Sequence, residues 1–259
     1  EEYLKKKEEL GLNTRSGIKK AQNRFDELWR KAFHKHLKLT NTVNVVGDQV
    51  SDSRNSYGLF DFRGEADNVK YGCWGGKGLK DSYDIGPGIG DGSELNYDGV
   101  SVGVKNSHVL FGSIVWYSSD IFYSYMLNNC NYCFGCAEMN GKKYCILNKQ
   151  YTKEEYEKLV PKIIEQMKDV VYTDKKGRTY AYGEFFPPEM SPFAYNETVA
   201  QDYFPTDPSG AEIFGAKWRE YIPGSYQITK KGDELPQMIA KIHDSIVNEV
   251  IGCKKKKKP

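Results

Sequence analysis

An aromatic residue followed by a small residue or an aspartate recurs through the middle of this chain. It falls at Tyr57-Gly58, Tyr71-Gly72, Tyr83-Asp84, Tyr97-Asp98, Phe111-Gly112 and Tyr123-Ser124, and more loosely at Phe134-Gly135 and Tyr144-Cys145. The steps are 10 to 14 residues and, taken two at a time, 21 to 28. A repeat of that size marks stacked units that each pack only on their neighbours. Reading two steps as one coil of a two-sided β-solenoid predicts a single-stranded, right-handed parallel β-helix of about four coils over residues 41 to 149. An antiparallel meander has the same strand spacing and is the rival.

Strand alternation supports the prediction. Two residues beyond each aromatic, on the same face at period 2, stand Leu59, Cys73, Ile85, Gly99, Ser113, Tyr125, Cys136 and Ile146, most of them apolar or small. Turn formers such as "SDSRNS", "RGEADN" and "GPGIGDGSE" separate the arcs.

An open β-helix end needs a cap, and the flanks carry helical patterns. After "GLNTRSG", Ile18, Ala21, Phe25, Leu28, Trp29 and Ala32 form one apolar stripe, while Lys19, Lys20, Arg24, Arg30, Lys31 and Lys35 occupy the other face. Residues 1 to 40 are therefore expected to be N-terminal helices capping the solenoid. Residues 150 to 259 are expected to be a helical and irregular C-terminal region. There, Thr152 and Glu155 stand at capping-box spacing before a helix that Pro161 would kink or delay. Asp207 and Pro208 open a short helix. "MIAKIHDSIVNEVIGC" reads as helix, or helix then strand. Both ends look cut: "EEYLKKK" begins as if mid-helix, and "GCKKKKKP" stops on a lysine run.

Composition excludes some partners. Thirty-seven basic against 35 acidic residues give +2, so no global field favours nucleic acid or an anionic membrane. No apolar run approaches the ~18 residues of a span, and the N-terminus lacks the apolar core of a secretory signal. A cytoplasmic chain without a membrane partner is expected.

Four of the six cysteines, Cys130, Cys133, Cys136 and Cys145, fall within "NNCNYCFGCAEMNGKKYC". Four thiolates are a zinc complement, but this spacing has no second C-x2-C knuckle. On a strand, Cys133 and Cys136 would point to opposite faces. Cys136 and Cys73 share a repeat position, which favours core thiols, since free cysteine packs as a small apolar residue. Zinc at Cys130, Cys133, Cys136 and Cys145 is the minority reading, and no other cofactor is expected.

No catalytic constellation emerges. His34, His36, His108 and His243 are scattered, and no nucleophile elbow accompanies them. Asp81, Asp84, Asp91, Glu94 and Asp98 gather around "GPGIGDGSE", which lacks the Lys-Ser/Thr of a phosphate loop. Carboxylates in such a group serve calcium binding, glycoside chemistry or plain turns.

The strings "GLKDSYDI", "KKYCILNKQYTKEEYEKLVPKIIEQM", "GEFFPPEMSPFAYNET" and "NEVIGCKKKKKP" resemble a family of candidate-phylum bacteria with reduced genomes, across nearly the whole chain. The resemblance implies a Cys-rich repeat region with zinc-ribbon-like flanks, no established activity, and a chain that is part of something longer. Relatives tend to carry C-x2-C where Cys253 stands alone. The expected function is a non-enzymatic interaction or scaffold module, binding a protein or polysaccharide on a face rich in Tyr, Asn and Asp. The alternatives are a carbohydrate-active enzyme using the acidic residues of 81 to 98, and a nucleic-acid binder using the basic helix at 18 to 38.

Overall fold

A left-handed backbone residue at nearly every third position organises the middle of the chain. In the computed structural model, which describes residues 2–220 and 226–252, thirty non-glycine residues between Asn41 and Asn148 have φ between 44° and 65°. Each costs roughly 1–2 kcal/mol for a residue with a Cβ. Asn and Asp are the usual tenants of this region because their side chains bond locally. Thirteen of the thirty are Asn or Asp, and Ile114 alone is β-branched. The turn-like Asn and Asp residues of the sequence are thus corners of a coil rather than loops between longer strands.

The result is a parallel β-solenoid of about nine turns. Successive coils pair in parallel, Leu39 with Val50, Ala66 with Leu79, Tyr83 with Tyr97, then Ser107 with Ser119, Asn131 and Lys143 in turn at a constant twelve residues. The coil count corrects the expected four. Each aromatic step is a whole coil, because a corner every third residue closes the path within 11 to 14 residues.

The interior also runs at period three. Asn106, Val109, Gly112, Val115, Ser118, Ile121, Ser124, Leu127, Cys130, Cys133 and Cys136 all point inward and are buried. Each inward residue follows a left-handed corner, and this corrects the period-2 rule. At Tyr57, Tyr83, Tyr97 and Phe134 the corner is the next residue, so Leu59, Ile85, Gly99 and Cys136 are interior as expected. At Tyr71, Phe111, Tyr123 and Tyr144 the aromatic itself is the corner. There Gly72, Gly112, Ser124 and Cys145 turn inward, while Cys73 and Ser113 are half-buried and Tyr125 is exposed.

Corners interrupt the ladder of strand hydrogen bonds, and inward hydroxyls repair it. Ser56 Oγ donates to Arg54 O and accepts from Val69 N one coil on; Ser82, Ser118 and Ser124 repeat the pattern toward Asn96, Cys130 and Cys136. Small residues are required where the bore is narrow. A Cβ on Gly112 would stand 2.6 Å from Val109 Cγ1.

The coils are followed by an antiparallel strand, Lys149–Gln150 against Cys145 and Ile146, and by helix α3 after two N-terminal helices, α1 (Glu2–Leu10) and α2 (Arg15–Lys31). Helix α3 spans Lys153–Asp169. Its capping box forms as expected, Glu155 N–H to Thr152 Oγ1 and Thr152 N–H to Glu155 Oε2, and the helix runs on through Pro161. Asp207 caps Pro208–Ile213, accepting from Gly210 N at 2.8 Å.

The chain divides into two units, residues 36–219 and residues 1–35 with 220–259. In the second, 3-10 turns Ile239–Lys241 and Asp244–Asn248 precede Ile251–Gly252, which pairs in parallel with Lys230–Lys231. The open choice at 238–253 is resolved as short helical turns, then strand. Arg15 donates to Gly232 O, Leu235 O and Pro236 O, tying α2 to this segment. Cys253 and the lysine run lie outside the described residues.

Candidate functional site

Because each coil places one aromatic on the same outer side, the rings meet. Tyr57, Tyr71, Tyr83, Tyr97, Phe111, Tyr123 and Phe134 form an unbroken spine with successive centroids 5.7, 5.3, 5.6, 5.5, 4.5 and 5.8 Å apart. The spacing follows from the ~4.8 Å separation of paired strands. Aromatic pairs in this range add about 0.5–1.5 kcal/mol beyond burial. Sequence reading found the aromatics but not their contact, since it took the steps as half-coils. The signal was there in the one-aromatic-per-step regularity.

The spine has two halves. Phe111, Tyr123 and Phe134 are buried with Tyr156 and Val160 of α3, and Leu159, Ile163, Ile164, Met167, Tyr182 and Phe185 pack on them. The Tyr123 hydroxyl accepts the Gly183 N–H at 2.9 Å, and burial pushes that phenol above its ordinary value. Tyr203 further along meets Trp74 at a tilt of 58°, centroids 5.9 Å apart, so the aromatic-rich segment after 180 lies against the solenoid. In contrast, Tyr57, Tyr71, Tyr83 and Tyr97 remain 39 to 50% exposed.

Shallow grooves flank the exposed half. One of about 500 Å³ is lined by Val46, Tyr57, Phe60, Tyr71, Cys73 and Asp84, and one of about 400 Å³ by Lys70, Asp81, Tyr83, Leu95, Tyr97 and His108. Beside them runs a ladder of polar side-chain rungs. Asn44 bonds Asn55, Asn55 and Arg54 bond Asp67, Asn68 bonds Asp81 at 2.7 Å, and His108 bonds Asp120 at 2.9 Å.

The acidic residues of 81 to 98 are divided among corners. Asp81 is held by Asn68 and Asp91 stands at another corner. Glu94 bridges Lys80 and Ser107. Asp84 and Asp98 are electrostatic neighbours: burial, then the Asp84 charge, raises the Asp98 carboxyl above the usual range.

Cys130, Cys133, Cys136 and Cys145 do come together, inside the last coils, in one core cluster with Val109, Val115, Ile121 and Leu127. The three-residue period turns Cys133 and Cys136 both inward, correcting the expectation of opposite faces. The thiols take over the hydroxyl pattern of earlier coils. Cys130 donates to Asn128 O, Cys133 to Asn131 O, Cys136 to Phe134 O and Cys145 to Lys143 O, while Cys136 Sγ accepts from Asn148 N at 3.4 Å. The neighbouring Cys136 thiol, then burial, raises the Cys133 thiol, and the same neighbour lowers that of Cys136. Burial raises Cys145. Among the described residues, no group of three or more His, Cys, Asp or Glu side chains is placed to hold a metal ion. Cys73 lies apart in the first groove, its thiol raised by burial and then by Asp61 and Asp84.

No protein-family model, curated protein or solved structure matches this chain. What stands is a β-solenoid protein with several buried cysteines in its repeat region.

Proposed function

We propose that this chain is an interaction module whose exposed ring spine, Tyr57 to Tyr97, docks a polypeptide partner. The observation that carries the reading is the change of cover along one spine. Its C-terminal half is already occupied by an apolar helix face and an aromatic loop of the same chain, and its N-terminal half continues with the same rings uncovered. Tyr57 and Tyr71 meet edge to face at 83° and Tyr71 and Tyr83 at 78°, so although Tyr83 and Tyr97 are stacked at 15° the exposed rings do not form one flat platform. That suits side chains and backbone better than the flat stacking of a sugar ring. Solenoids characteristically offer such extended surfaces. The resemblance to the candidate-phylum family belongs to this reading and adds no activity or residue to it.

The test is a benzophenone photocrosslinker at Tyr83 in extract from the source cells, with Glu138 on another part of the solenoid as control. Discrete polypeptide adducts from position 83, lost in a Tyr71→Ala/Tyr97→Ala background, are expected. Equal labelling from 138, or retention of the chain on a polysaccharide panel instead, refutes the reading.

One observation favours a second reading. Asp84 and Asp98 directly follow the rings Tyr83 and Tyr97 in sequence, and burial, then the Asp84 charge, raises the Asp98 carboxyl above the usual range, as suits a general acid on glycosides. Release of reducing sugar from a polysaccharide panel, abolished by Asp98→Asn, would establish it. Absence of release ends it.

A further inference from the structure

Helix α2 is built as an amphipathic helix and none of its seventeen residues is buried. Its apolar stripe, Ile18, Phe25, Leu28 and Trp29, is 51 to 61% exposed, and Phe33 just beyond the helix is exposed as well. The Phe25 and Trp29 rings lie 5.9 Å apart, forming one aromatic patch. The helix has a firm start, since Thr14 Oγ1 accepts the Gly17 N–H at 3.0 Å. Six of its residues are basic, Arg15, Lys19, Lys20, Arg24, Arg30 and Lys31, against Asp26 and Glu27. Glu27 is engaged with Lys31 at 3.0 Å.

These two faces make different demands. Nucleic acid would satisfy the cations and leave Ile18, Phe25, Leu28 and Trp29 in water. An apolar protein groove would cover the stripe and make no use of the flanking charge. A bilayer surface bearing anionic lipid meets both: Trp, Phe and Leu enter the boundary between headgroups and chains, and Lys and Arg remain among the headgroups. The helix need not cross. No helix among the described residues is long and apolar enough to do so, and lying in the surface plane asks for this amphipathic pattern instead.

We propose that α2 is an in-plane anchor that binds bilayers containing anionic lipid. The tie from Arg15 to Gly232, Leu235 and Pro236 holds the start of the helix to its unit, and Lys19, Lys20, Arg24 and Arg30 supply the attraction.

The test is flotation of the full chain with vesicles of phosphatidylcholine alone or phosphatidylcholine with phosphatidylserine, and quenching of Trp29 by brominated chains, with Trp29→Phe to subtract the other tryptophans. Binding to the anionic vesicles is expected. It should fall at least about tenfold in Phe25→Asp/Trp29→Asp, and about tenfold in Lys19→Glu/Lys20→Glu or on raising salt well above physiological strength. These side chains are exposed, so the variants should keep the wild-type circular dichroism. Failure to float with anionic vesicles overturns the proposal, as does binding indifferent to Phe25→Asp/Trp29→Asp. Salt-dependent RNA or DNA binding without vesicle binding would assign the cations to nucleic acid. A dimer broken by Phe25→Asp/Trp29→Asp, again without vesicle binding, would assign the stripe to a second copy.

Discussion

The two halves of the ring spine are chemically alike and differently used. Phe111, Tyr123 and Phe134 lie beneath α3 and the 182–185 segment, whereas Tyr57, Tyr71, Tyr83 and Tyr97 stand in solvent. Both halves arise from the same rule, one aromatic per coil, so spacing alone does not distinguish them. Cover does. A ring that is buried within its own chain contributes to stability, and a ring left at the surface contributes to whatever docks there. The same residue type should thus fail in two different ways along one molecule.

The largest expected effect is in the covered half. Phe111 is 2% exposed, and Phe111→Ala should destabilise the fold by about 3–5 kcal/mol, as aromatic truncations in packed cores do. Chemical denaturation measures it. An effect as small as that of an exposed tyrosine would erase the distinction between the halves. A smaller loss, about 1 kcal/mol, is expected for Tyr123→Phe, which removes the acceptor of the Gly183 N–H; proteolysis at 180–186 should rise with it.

Alkaline pH should weaken the covered end, and Cys73 in the first groove contributes in the same direction. Cys145 and Tyr123 both have folded values above their ordinary ones, mainly through burial. The unfolded chain therefore loses these protons first as pH rises. The contribution of Cys145 is full below the ordinary thiol value and is lost as pH climbs through it toward the folded value, from about pH 8 to 10, and that of Tyr123 is lost from about pH 10 upward. The denaturation midpoint should decline over that window, and less so in Cys145→Ser. A flat profile would contradict the burial of these groups.

The aromatic recurrence made the solenoid legible, and the Thr152/Glu155 and Asp207/Pro208 signals made two helix starts legible, because each reflects local chemistry that tertiary packing leaves alone. The three-residue period stayed hidden for a physical reason. Its inward positions include Asn106, Ser118 and Ser124, which hydropathy does not mark as core. These residues are inside because corners leave backbone N–H groups that a hydroxyl or thiol must satisfy. Once that period was missed, the coil count halved and Cys133 and Cys136 were set on opposite faces. The thiols were readable as core residues, though not as successors to a serine ladder. Helix α2 was readable as amphipathic, but pattern alone does not say that a stripe stays uncovered.

The most direct test of the binding surface uses a photocrosslinker at Phe60, which is exposed and lines the same groove. Adduct yield and thermal midpoint are compared between the wild-type background and Tyr71→Ala/Tyr83→Ala/Tyr97→Ala. The account predicts loss of adduct while the coils stay folded, with each exposed substitution costing less than the ~3–5 kcal/mol of Phe111→Ala. Adducts that persist, or that vanish only because the coils unfold, would contradict it.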